Sequence, residues 1–289
     1  MNKLVVAAAA GGALVVAGLV VSVVLLAGGG SGAPRSITIR AAVGPPALPP
    51  RNAVVLAQED GSNALTLAAV PGRIRITLFN GEGNGVTGAD VTVGRTRTTT
   101  CGAGCYEART NIRGRVPVRV DGRVRTFVVP RAAPDASALM ARASRTFHAL
   151  RSVTYVERLA SSPRDKIVST FTLEAPDRVE YHIRRGGSAI VIGTRRWDRG
   201  NGRWIKSQST YLPQPTPIWG TPITNAHVLE RQGNEVTVSW LNPKVPAWFV
   251  ARFDARTLHP HSLEMTATAH FMHHVYSGFD APRRIFPPR

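Results

Sequence analysis

Cysteine is scarce in this chain: Cys101 and Cys105 are the only two in 289 residues. That excludes a disulfide-dense small scaffold and any multi-thiolate metal cluster. Acidic residues are also few, 18 against 36 basic ones, which leaves a formal net charge of +18. Lysine is nearly missing from the basic set, and the arginines fall singly through strand-like segments. No basic run of about 5–8 residues and no basic helix occurs, so nucleic acid is not an expected partner. A solvated basic surface, and attraction to anionic lipid head groups, are better uses of the charge. Catalytic signatures are missing as well. There is no Gly-x-Ser-x-Gly elbow, His-Glu-x-x-His pair, phosphate-binding loop or dinucleotide fingerprint, and the expectation is a protein that is not an enzyme.

What is present begins with residues 4–27, which carry no charge and one polar side chain, Ser22. The run exceeds the ~20 residues that cross a bilayer core as a helix. Leu25-Leu26-Ala27-Gly28 lacks a small-x-small cleavage site, and no cysteine follows that could be lipidated, so an uncleaved signal anchor is expected over residues 1–35. Lys3 on one side and Arg35 and Arg40 on the other encode orientation only weakly. The cysteine pair suits an oxidising compartment, which places the bulk of a single-pass cell-membrane protein outside the cytoplasm. Proline- and glycine-rich stretches at 28–34 and 44–50 read as linkers.

Residues 36–130 read as an immunoglobulin-like β-sandwich. Ile74, Ile76 and Leu78 alternate with polar neighbours, as do Val116, Val118 and Val120, and Asp121-Gly122 marks a hairpin turn. Frequent turns and absent helical periodicity complete that pattern. Arg131-Ala132-Ala133-Pro134 is the natural boundary. Asp135 then reads as the cap of a helix to Leu150, with Leu139, Met140, Ala143, Phe147 and Leu150 on one stripe. Strands resume to the C-terminus, interrupted by a proline-rich passage at 213–222. Residues 131–289 are thus expected to form an α+β body with a large, curved antiparallel sheet.

Several segments resemble known families. The helix, Leu173-Glu174-Ala175-Pro176-Asp177-Arg178, Val191-Ile192-Gly193 with Trp197, and the ending from Tyr276 through Phe279-Asp280-Ala281-Pro282 are similar to the lipoprotein carriers LolA and LppX. That resemblance implies an open half-barrel with an apolar concave face that holds acyl chains. Cys101-Gly102-Ala103-Gly104-Cys105-Tyr106, Arg195-Arg196-Trp197-Asp198-Arg199, Pro246-Ala247-Trp248-Phe249 and Ala269-His270-Phe271-Met272 resemble the extracytoplasmic tail of actinobacterial copper-transport proteins, the fusions of copper-resistance proteins C and D. The chain departs from those fusions in having one candidate span and no histidine-led copper module. The resemblance implies work beside a copper-transport membrane protein, with copper as the one candidate cofactor.

Three groups of candidate site residues follow. Cys101 and Cys105, four apart across Gly-Ala-Gly, can close a disulfide, act as a redox pair or offer two thiolates to Cu(I). Residues 262–276 read as one strand, with Leu263, Met265, Ala267, Ala269, Phe271 and Val275 toward the core. His270, Met272 and His274 then project together on the solvated face, a donor set that suits copper. Phe171, Tyr181, Trp197, Trp204, Trp240 and Trp248 are expected to line a hydrophobic cavity for a lipid ligand, or simply to fill the core. The function expected from all this is a non-enzymatic, membrane-anchored extracytoplasmic binding or accessory protein linked to copper. A hydrophobic-ligand carrier and a docking module for a membrane transporter are the alternatives.

Overall fold

The computed structural model describes residues 44–289 apart from residues 163 and 201. The expected membrane span at residues 4–27 lies outside the described residues. Among the described residues, no helix is long and apolar enough to cross a membrane.

The chain is mainly β. Strands β1 (Val54–Asp60), β2 (Asn63–Val70), β3 (Arg73–Phe79), β4 (Val91–Val93), β5 (Thr96–Arg97), β6 (Thr99–Gly102), β7 (Cys105–Arg109), β8 (Gly114–Val120) and β9 (Arg123–Val129) form two sheets, ordered β1-β2-β3-β7-β6 and β5-β4-β8-β9. Ile74, Ile76 and Leu78 from one sheet meet Val116, Val118, Val120 and Phe127 from the other in a single core, the arrangement of a sandwich. The β8–β9 turn forms at Asp121 and Gly122, both at positive φ as that hairpin requires.

The one helix among the described residues, α1 (Ser137–His148), starts two residues after the expected cap. Asp135 Oδ1 accepts from the Ser137 backbone N–H at 3.0 Å, so its carboxylate satisfies a first-turn donor from just outside the helix. Met140, Ala143 and Phe147 form its buried stripe.

After α1 come β10 (Ser152–Ala160), β11 (Lys166–Glu174), β12 (Arg178–Ile183), β13 (Ser188–Ile192), β14 (Arg195–Arg199), β15 (Ile205–Gln208), β16 (Thr224–Gln232), β17 (Glu235–Asn242), β18 (Ala247–Asp254), β19 (Pro260–Ala267) and β20 (His270–Ser277). They build one eleven-stranded antiparallel sheet, ordered β15-β14-β13-β12-β11-β10-β20-β19-β18-β17-β16. The two meanders join where β20 pairs with β10. One continuous core unites α1 with Val153, Phe171 and Tyr181 on one wing and Val236, Trp240 and Phe253 on the other. Eleven strands at ~4.8 Å spacing span far more than the ~10 Å width of a helix, so the sheet bends around α1 to share that core.

The outer face of the sheet is treated unequally. Over β16–β20 it is covered by the sandwich: Phe79 packs on Trp248 with ring centroids 5.4 Å apart, and Ala53, Val55 and Ala68 join Leu241 and Phe271 in one apolar seam. Asn225 Nδ2 donates to the carbonyls of Pro50 and Ala53 at the seam's edge. With both faces covered, β17 and β18 are buried almost continuously, whereas β12, covered on one face, alternates buried and open positions.

Candidate functional site

The inner face of the large sheet holds the chemistry. In the β10–β11–β12 register, Tyr155 faces Phe171 and Phe171 faces Tyr181, while Tyr276 on β20 faces Tyr155. The four rings form a row across the sheet, with Tyr155 and Phe171 stacked at 4.9 Å. One position along, Glu157 on β10 faces His274 on β20. His274 is fully buried; its Nε2 lies 2.9 Å from Glu157 Oε2 and its Nδ1 2.9 Å from the Tyr276 hydroxyl. The arrangement that satisfies all three groups has Tyr276 O–H donating to Nδ1 and Nε2–H donating to Glu157. Burial pushes the Tyr276 hydroxyl far above the usual tyrosine range, and the Glu157 charge adds to it. Tyr155 is pushed the same way by burial first, then by Glu157 and Tyr276.

The row ends at an arginine clamp. Arg196 donates to both oxygens of Asp198 at 2.7–3.0 Å, and through Nη2 to the Tyr181 hydroxyl at 2.8 Å. Hydrogen bonding to Asp198 holds the guanidinium above its ordinary pKa.

The expected single strand over 262–276 is two strands. A turn at Thr268-Ala269, with Ala269 at φ 52, folds β20 back on β19 so that Met265 pairs with Met272 and Ala267 with His270. The parity therefore changes across the turn. His270, Met272 and His274 do share a face, but it is the inner one, where Met272 and His274 are buried. Leu263 and Met265 lie on that same face, while Phe271 turns outward into the seam and Val275 is exposed. His270, at the turn, places Nδ1 2.8 Å from the Thr268 carbonyl. Its Nδ1–H donates there, which leaves the Nε2 lone pair free. Among the described residues, no group of three or more His, Cys, Asp or Glu side chains is placed to hold a metal ion.

The six expected cavity aromatics separate. Phe171, Tyr181 and Trp240 are in the inner core, Trp248 is in the seam, and Trp197 and Trp204 are half-buried near the β15 edge. Trp197 pairs with Ile190 on the outer face, opposite in parity to Arg196. Filling the inner face falls to α1 and to a strap over 209–222. Trp219 of the strap is fully buried, stacks edge-on against Phe147 and Trp240, and donates its indole N–H to Ser144 Oγ at 3.0 Å. Beneath the strap remains a cavity of about 30 Å³ lined by Tyr155, Phe171, Tyr276, Gln214, Thr216 and Ile218, among others. The expected hollow is thus largely filled by the chain's own side chains, leaving room on the scale of a water molecule.

Cys101 and Cys105 form a disulfide, with Cα atoms 5.0 Å apart at the β6–β7 turn. Gly104, at φ 61, makes the turn possible: a Cβ there would run into the Leu78 carbonyl and the Gly85 backbone. Glu157 and Tyr155 were not among the expected site residues. The inward parity of Tyr155, Glu157 and Leu159 on β10 is the sequence signal that could have found them.

No family model and no curated protein matches this chain.

Proposed function

We propose that the chain is a non-enzymatic, membrane-anchored extracytoplasmic accessory protein of copper transport or resistance, docking beside a membrane transporter encoded separately. The observation that carries this reading is the occupied interior. Helix α1 and the strap fill the inner face of the large sheet, so a partner meets the outside of the molecule. Two interior polar clusters are also closed on themselves, with both nitrogens of His274 engaged and Arg196 clamped to Asp198. The disulfide suits an oxidising compartment. In this reading the sandwich is an immunoglobulin-like spacer and the second body a LolA/LppX-like half-barrel whose hollow has been filled in.

The donor set that best fits Cu(I) is Met272, its cross-strand partner Met265 and His270 Nε2, soft ligands on one face of the β19–β20 hairpin. His274, whose lone pair is already used, is replaced in that set by Met265. The test is deletion of the gene in its own cell, with copper content and copper tolerance measured. Loss of tolerance, restored by the full chain and not by a chain lacking residues 4–27, supports the reading. Unchanged copper content and tolerance overturn it. A Cu(I) competition titration in which Met272→Leu loses binding and His274→Phe retains it tests the donor set separately.

A second reading, hydrophobic-ligand carriage, is favoured by one observation. The aromatic row lies in part under a strap that is not in any sheet, joined to its surroundings by contacts such as Gln214 N–H to the Pro176 carbonyl and His148 Nδ1 to the Pro215 carbonyl. A ligand would enter by displacing 212–218. Binding of a fluorescent fatty acid, with lipid recovered by organic extraction, supports it; failure of both removes it.

A further inference from the structure

We propose that the β11–β15 end of the large sheet is a docking surface for an anionic phospholipid bilayer. The inference stands apart from the leader and from the transporter reading. In an antiparallel meander alternate connections fall at one end, and here these are the β10–β11, β12–β13 and β14–β15 connections. The last two touch: a Cβ on Gly187 would lie 3.9 Å from the Gly200 Cα. Six exposed cations stand on or beside these turns: Arg164, Lys166, Arg184, Arg185, Arg203 and Lys206. Among the described residues, none of the six is in an ion pair. The neighbouring carboxylates are engaged, Asp165 by the Ser162 hydroxyl and Asp198 by Arg196.

Charge alone would suit any polyanion; the apolar component narrows the choice. Ile205 on the open edge strand β15 is 68% exposed. Beside it Arg199 lies 4.8 Å over the Trp204 ring, and on the outer face Arg195 lies 5.8 Å over Trp197, so the indoles stay half-exposed under guanidinium groups. An acidic protein would answer the cations but gives no role to the exposed Ile205 or to the half-exposed indoles of Trp197 and Trp204. A bilayer surface answers all three: phosphate for the guanidinium groups, the head-group zone for the indoles, and the acyl boundary for Ile205.

The three cores described above lie within residues 44–289, and that fragment is used once a cooperative urea transition shows that it is folded. The test is co-sedimentation of this fragment with vesicles rich in phosphatidylglycerol and with pure phosphatidylcholine vesicles, at low and high salt, alongside Trp emission. Binding to the anionic vesicles only, weakened by salt and accompanied by a blue shift, is expected. Lys166→Glu, Arg185→Glu and Lys206→Glu together lower it by at least about 100-fold, about fivefold for each cation lost, with the repulsion of the new carboxylates adding to that. Ile205→Asn weakens it at unchanged charge. The same three-charge reversal elsewhere, at Arg256, Arg283 and Arg284, leaves most of the binding in place. Equal loss from both triple variants, no binding at low salt, or binding to an acidic polypeptide but not to vesicles would each overturn the proposal.

Discussion

His274 and Glu157, 117 residues apart in sequence, meet at 2.9 Å across the junction of the two meanders, the histidine fully buried. The pair lies where β10 and β20 close the sheet. Removing one partner strands the other in the core. Glu157→Ala leaves the buried His274 Nε2–H without its acceptor and is expected to cost about 1–3 kcal/mol in urea unfolding, while Glu157→Leu combined with His274→Phe recovers most of that loss. Additive losses in the double variant would show that the two side chains do not act as a pair.

The tyrosines beside this pair give the protein an alkaline limit. Tyr155 and Tyr276 both have folded pKa values raised by burial, so the native state keeps protons that the unfolded chain releases. Stability from this source is fully present below the unfolded tyrosine pKa of about 10 and falls as pH rises beyond it, by up to about 1.4 kcal/mol per pH unit for each residue. Tyr155→Phe should reduce the slope of stability against pH above 10 and leave the profile between pH 6 and 9 unchanged in shape.

Trp219 holds the strap down through one side-chain hydrogen bond and its ring contacts. Ser144→Ala leaves the buried indole N–H without its acceptor and is expected to cost about 1–3 kcal/mol. Trp219→Ala removes the plug itself, with an expected loss of about 3–5 kcal/mol. Hydrogen exchange would localise the effect: the strap and α1 should lose protection before the sandwich does.

The disulfide closes a loop of five residues, and such a short loop restricts the unfolded chain only modestly. Reduction, or Cys101→Ser with Cys105→Ser, should lower stability by about 2 kcal/mol and leave the circular dichroism spectrum unchanged. Global unfolding on reduction would give the turn a larger part in the sandwich than its position at the exposed β6 edge indicates.

Local signals were legible where one rule decided the outcome. Period-two alternation located β3 and β8, Asp121-Gly122 fixed their neighbouring hairpin, and the stripe from Met140 to Phe147 found α1. The Gly-Ala-Gly spacing was enough to allow the disulfide. Failures came where distant parts of the chain decide. The turn at Thr268-Ala269 has no Gly or Asn at its positive-φ position, so nothing in the sequence marks the reversal, and a single-strand reading exposes Met272, His274 and Tyr276, which are buried. Trp248 and Phe249 are neighbours of equal hydrophobicity, yet one faces the sandwich and the other the inner core. Only the presence of a second body against the outer face explains why both are buried. Glu157 reads as a surface residue because its partner is encoded at the far end of the sequence.

The seam through Phe79 and Trp248 has a mechanical consequence. Two bodies joined by a hinge would swing independently, whereas these two are clamped over several strands and move as one lever. Wherever residue 44 is held, the reach from that pivot to the Trp204 tip is set by packed side chains, and tilting one tilts the other.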